Sequence, residues 1–294
     1  MSPFCDMGVL EQFIEPVGFA DVSASVALLT CLGLSTLFVI LLNAVSRKAR
    51  DHPETMVRRM IVAVVVMPVV SIIVLTLLSS RDTTDKAMPL YEWLGFRTHR
   101  LWYAILCPIV LVTVGYGSEY LHRILNREPL LDVGDLLCLH GFRNIIAAPL
   151  AEEFVFRSCM LPLLLPHWSV TICVFLAPAI FGVAHLHLAW EAYRNGERIQ
   201  RLILVACAQI CYTTLFGAFS AFLFLRTGHF VACYLSHAYC NMLGLPNFGE
   251  IPAHPHKSVL MVGHVVAMVL FFGLLAPLTD VSLTGTQFSS YFVP

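Results

Sequence analysis

Stretches of about twenty apolar residues recur along this 294-residue chain, each long enough to cross a hydrocarbon core about 30 Å thick as a single helix. By length there are eight of them, at about 20–46, 59–79, 101–117, 143–165, 169–189, 202–225, 229–247 and 258–279. The polar connections between them reach only about 20 to 25 residues, which leaves no room for a separate soluble domain. The fold class that follows is all-α, a polytopic membrane helix bundle with about eight transmembrane helices, and residues 1–294 form one integral membrane domain. Composition agrees: 58% of residues are hydrophobic and 13% are charged, against roughly a quarter charged in soluble domains. A net charge of -1 gives no electrostatic reason to expect a nucleic-acid partner.

Local charge is more informative. The first apolar run follows Asp6, Glu11, Glu15 and Asp21 and precedes Arg47, Lys48 and Arg50, the reverse of a secretory signal peptide, so it reads as a retained first span. Arg58 and Arg59 add to the same connection, and the positive-inside rule places the 47–59 loop in the cytosol. Eight spans then put both termini on the lumenal or outer side, with the 80–100 loop and its Arg81, Lys86, Arg97 and Arg100 running against the rule. Most of the ten cysteines, Cys31, Cys107, Cys173, Cys207 and Cys233 among them, lie in apolar runs and read as small hydrophobes.

Ionisable groups deep in a span cost a few kcal/mol each, so they default to a functional reading. The fourth span runs from Asn144 through Glu152 and Glu153 to Arg157, two carboxylates and a guanidinium in an otherwise apolar helix. Consecutive helical residues lie about 100° apart, so the two glutamates face different ways and should have different jobs. Glu153 and Arg157 are four apart, the spacing of a helical ion pair. Glu152 is left without a partner in its own helix, as a general base requires.

Partners for Glu152 should come from other spans. The fifth ends in Phe181-Gly-Val-Ala-His185-Leu-His187, and the seventh contains His237-Ala-Tyr-Cys-Asn241. His237 and Asn241 are four apart and share a face, where two side-chain N–H donors can converge on an oxyanion. There is no HExxH zinc signature, no G-x-S-x-G elbow and no GxGD aspartate motif. Metal binding by these carboxylates and histidines stays open, although Arg157 and Asn241 suit charge pairing better than a cationic site. A proton-relaying transporter is a second alternative, without the inverted repeat that would support it.

Glu152-Glu153-x-x-x-Arg157, Phe181-x-x-x-His185 and His237-x-x-x-Asn241, in this order on successive spans, resemble the signature of the type II CAAX prenyl protease family. That family belongs to the wider group of CAAX-processing and bacteriocin-protection membrane proteins. The wording of 181–187 and 236–246 looks like its eukaryotic endoplasmic reticulum members, and the resemblance covers a catalytic core of about 143–250. It implies Glu152 as the catalytic glutamate with His185 on the attacking water, Glu153 and Arg157 in support, and His237 and Asn241 as the oxyanion hole. It also implies removal of the -aaX tripeptide from farnesylated or geranylgeranylated CAAX proteins such as Ras-like small GTPases, without metal or other cofactor. The location implied is the endoplasmic reticulum membrane, where the enzyme contacts lipid and opens its site to the cytosol. Some members of the wider group are instead non-catalytic membrane scaffolds or chaperones.

The orientation is testable on its own. A glycosylation acceptor appended to the C-terminus should be modified in microsomes, and one placed in the 47–59 loop should not; an unmodified C-terminal tag reverses the assignment.

Overall fold

The computed structural model describes residues 9–46, 48–49, 51–84, 86–131, 133–184, 196, 199–246 and 248–292. Its long helices are α1 (Ala24–Ala44), α2 (Pro53–Leu78), α3 (Leu101–Gly115), α4 (Gly117–Asn126), α5 (139–164), α6 (Val170–Ala184), α7 (Ile199–Thr227), α8 (Phe230–Leu243) and α9 (Lys257–Leu278). Every apolar stretch holds one of these, with α3 and α4 forming a pair bent by 60°. The strands among the described residues are β1 (Val17–Gly18) and β2 (Ser80–Arg81), a short antiparallel pair. The chain is therefore a polytopic helical bundle.

The helices divide into two kinds. α1, α2, α7 and α9 are each long and apolar enough to cross a membrane unaided, and the bent pair α3–α4 makes a fifth such unit. α5 is as long, but every 18-residue window of it holds both glutamates and at least one arginine. α8 has 14 residues, roughly 21 Å at 1.5 Å per residue, which is shorter than the hydrocarbon core, and α6 is described as far as Ala184. α8 stops at Leu243, short of the 229–247 stretch, because Gly244 takes a positive φ of 74° and its N–H caps the Cys240 carbonyl at 2.9 Å.

Burial follows the same division. α9 exposes Val262, Val265, Val269 and Phe272 to its surroundings, whereas Phe154 to Cys159 of α5 are all buried.

Proline shapes the inner helices. A π-helical turn precedes each of Pro68, Pro149 and Pro162, over Val62–Val66, Phe142–Ala147 and Phe154–Cys159. Proline lacks an N–H and its ring collides with the carbonyl four residues back, and widening that turn relieves the collision without ending the helix. In α5 two such turns flank one regular segment, Ala148–Glu153. Both glutamates sit at its end.

At the face where α2 and α9 end, the N-terminal segment, the 80–100 loop and the C-terminal segment pack together around Trp93, which is buried. Its indole N–H donates to the Val17 carbonyl at 2.9 Å, and its ring meets Phe19 at 5.5 Å and Phe288 at 5.9 Å. The basic residues of this loop are engaged locally: Arg97 donates to Gln287 at 2.6 Å and to the Gly285 carbonyl, Arg100 to the Ser282 and Leu283 carbonyls, and Lys86 stands 4.8 Å over the Tyr291 ring. Those cations cap the chain's C-terminal turns, a structural use that weakens them as topology signals.

Trp93→Ala removes the ring that joins these three segments. It should cost about 3–5 kcal/mol of stability, the usual range for a buried aromatic, seen as a lower melting temperature in detergent; an unchanged melt would show that this face contributes little.

Candidate active site

α5 gives its two glutamates different surroundings. The Glu153 side chain is 0% exposed and that of Glu152 is 20% exposed. Adjacent positions differ this much because one points between α5, α7 and α8 while the other points out of that packing.

Glu153 is the hub. Its Oε2 lies 3.2 Å from Nε of Arg157 and accepts the hydroxyl hydrogen of Ser220 on α7, and its Oε1 lies 2.7 Å from Nδ1 of His237 on α8. Arg157 is buried as deeply, with its guanidinium 5.3 Å from the Phe181 ring of α6. None of its nitrogens meets an acceptor in good hydrogen-bond geometry among the described residues. It therefore supplies charge more than direction. Bare burial of either ion costs several kcal/mol, and a mutual contact with extra hydrogen bonds offsets that cost.

The hub sets the state of His237. An ionised carboxylate only accepts, so Nδ1 carries the hydrogen donated to Glu153. Nε2 is then directed to the other glutamate, 3.9 Å from Oε2 of Glu152. That gap is too long for a direct hydrogen bond and suits a shared third atom.

Asn241 sits one turn further along α8. Its Nδ2 donates to the backbone carbonyl of Asn144 at 2.8 Å, which ties α8 to the start of α5 and leaves the second amide hydrogen free of that bond. The end of α8 is clamped from the other side by the bent pair. Tyr116 donates to the Gly244 carbonyl at 3.0 Å, and Arg123, paired with Glu119 at 3.0 Å, donates to the Leu243 carbonyl at 2.9 Å. Tyr239 hydrogen bonds with Thr113 at 3.2 Å and with Tyr120.

The structure thus brings together Glu152, Glu153, Arg157 and His237, with Asn241 one helical turn away. His185 and His187 lie outside the described residues. No group of three or more His, Cys, Asp or Glu side chains with metal-holding geometry occurs among the described residues.

Residues 134–243 match the family model described as type II CAAX prenyl endopeptidase Rce1-like. The chain is 35% identical over 279 residues to CAAX prenyl protease 2 of Homo sapiens, an alignment covering 89% of this chain and 83% of that protein. It is 31% identical to the Arabidopsis thaliana protein of that name, over 88% of this chain and 91% of the other. The Caenorhabditis elegans counterpart is 33% identical, over 83% and 94%. The chain belongs to the type II CAAX prenyl endopeptidase family. No solved structure matches it.

Every site residue expected from the sequence lies within the span matched to the prenyl endopeptidase family model, and so does Ser220. Ser220 is the residue that sequence reading missed. A lone serine in an apolar helix gives no signal, because membrane hydroxyls commonly bond back to their own helix. Asn144 was visible only as the start of the motif-bearing span, and its contribution is a backbone carbonyl, which no side-chain pattern reports.

Arg157→Ala would leave the buried Glu153 carboxylate without its counter-charge. The loss should be about 3–5 kcal/mol, seen as a sharply reduced yield of monodisperse protein on size-exclusion chromatography. Asn241→Ala should elute and melt like the unmodified protein, and equal losses in the two variants would contradict this separation.

Proposed function

We propose that this protein removes the C-terminal -aaX tripeptide from farnesylated or geranylgeranylated CAAX proteins, Ras-like small GTPases among them, with Glu152 as general base. The observation carrying this reading is the contrast between two adjacent carboxylates. Glu153 is saturated by Arg157, Ser220 and His237, whereas Glu152 is partly exposed and 3.9 Å from a histidine nitrogen already oriented by that hub. The relatives, CAAX prenyl proteases by name, supply the substrate class.

In the proposed reaction a water held by Glu152 and His185 attacks the carbonyl carbon of the prenylated cysteine. Glu152 takes one proton from the water as the new C–O bond forms. The carbonyl oxygen becomes an oxyanion, received by the second amide hydrogen of Asn241 and by Nε2–H of a doubly protonated His237, with Glu152 and Glu153 together balancing the charges of Arg157 and His237. Glu152 then passes its proton to the amine of the departing tripeptide, and the C–N bond breaks. Glu153 and Arg157 position these groups without touching the substrate.

Placement in a bilayer suits this substrate. A prenyl chain partitions into lipid, and the peptide beside it has to meet a water within the bundle. The reading places the enzyme in the endoplasmic reticulum membrane with the site open to the cytosol, on the side of the 47–59 loop.

Glu152→Gln keeps shape and hydrogen bonding but removes the base. Cleavage of a prenylated CAAX peptide by purified protein should vanish while abundance and peptide binding persist. Glu153→Gln, compared at matched folded protein, should retain some turnover. Chelator in both assays should change nothing. A dead, well-folded Glu153→Gln beside an active Glu152→Gln would reverse the assignment, and loss of activity on chelation would bring a metal into the mechanism.

A further inference from the structure

The hydroxyls of α7 are used in two ways. Thr213 and Thr227 donate to carbonyls of their own helix, Gln209 at 2.8 Å and Leu223 at 2.7 Å. Ser220 lies between them, is 0% exposed, and donates across the helix interface to Oε2 of Glu153. The same helix face carries Gly217, three residues before. A Cβ there would fall 2.7 Å from Nη2 of Arg157 and 2.7 Å from Cβ of Pro178 on α6. Gly217 makes room for the arginine, and Ser220 bonds the glutamate.

We infer that Ser220 is a positioning residue for the reaction, acting through Glu153 on His237, with Gly217-x-x-Ser220 on α7 forming the seat of the buried ion pair. The inference rests on the proposed role of His237 beside Glu152. A carboxylate held only by charge can turn about its last side-chain bond, and the Arg157 contact at 3.2 Å, with its nitrogens outside good hydrogen-bond geometry, does not stop it. The Ser220 hydroxyl is directional. By fixing Oε2 it fixes Oε1, which in turn holds Nδ1 of His237 at 2.7 Å and points Nε2 toward Glu152. Groups that orient metal-bound histidines change affinity or activity by about 10- to 100-fold when removed, and the expected scale here is taken from them.

The consequence differs from that of a packing residue. Losing a purely structural contact lowers the amount of folded protein and leaves turnover per folded molecule alone. Losing an orienting bond lowers kcat with little effect on KM, since substrate binding does not use it.

The test uses the full chain in detergent with a prenylated CAAX peptide, at matched folded protein. Ser220→Ala should lower kcat about 10- to 100-fold, keep KM within about twofold, and melt near the unmodified protein. Ser220→Thr, which keeps the hydroxyl, should recover most of the kcat. In a Glu153→Gln background the Ser220→Ala loss should shrink to less than about twofold, because the group it orients is gone. Should Ser220→Ala fail to fold, Ser220→Cys, close in size with a weak donor, should fold and show an intermediate kcat. An unchanged kcat per folded molecule in Ser220→Ala or Ser220→Cys, a change confined to KM, or the same loss with and without the Glu153 carboxylate overturns the inference. Glu152→Gln in the same assay separates the two readings. If it stays active, the general-base assignment fails, while coupling between Ser220 and Glu153 is still read from the double variant.

Discussion

A carboxylate and a guanidinium with almost no exposure, Glu153 and Arg157, lie at the centre of this bundle, and the packing of α5, α6, α7 and α8 is organised to accommodate them. Each ion alone would be expelled from such a place. Their coexistence demands a counter-ion, extra donors and space, and each neighbouring helix supplies one of these. α6 offers the Phe181 face to the guanidinium, α7 offers Ser220 and the missing side chain of Gly217, and α8 offers His237. Once the pair is formed, α5, α7 and α8 are held in register by polar contacts that have no competitor in lipid, and α6 by the ring contact.

The same hub leaves the neighbouring residue in a different setting. Glu152 shares a helix turn with the hub but none of its hydrogen bonds, and remains partly exposed beside an oriented imidazole. The two π-helical turns around Ala148–Glu153 contribute to this arrangement by keeping α5 continuous through Pro149 and Pro162. Preorganisation of this sort matters because small displacements of catalytic groups are costly to rate. The clamp of Tyr116, Tyr239 and Arg123 on the end of α8 extends the same logic to Asn241.

Outer helices carry the opposite burden. α1, α2, α7 and α9 have the length and apolarity to cross a membrane, and α9 leaves many of its large apolar side chains exposed. α5 is too polar and α8 too short to do so, and both depend on their neighbours. In a membrane the hydrophobic effect does not drive helix against helix, so interhelical polar bonds and close fit at small residues give the inner helices their place.

The sequence by itself determined the helices, because a bilayer translates run length directly into spanning segments, and it determined the Glu153–Arg157 pair, because spacing of four on a helix is a local fact. Motif order was enough to indicate the family. Tertiary structure alone decided that Glu153 takes His237 and Ser220 as partners, that Asn241 reaches the Asn144 carbonyl, and that α8 ends at Leu243. These depend on how separate helices rotate and approach one another, and residues 67 or more positions apart in sequence, such as Glu153 and Ser220, carry no mark of that meeting in a single chain. Pro149 and Pro162 stand plainly in the sequence, but the wider turns that accommodate them do not, since proline states which hydrogen bond is lost and the surrounding packing chooses how the helix makes up for it.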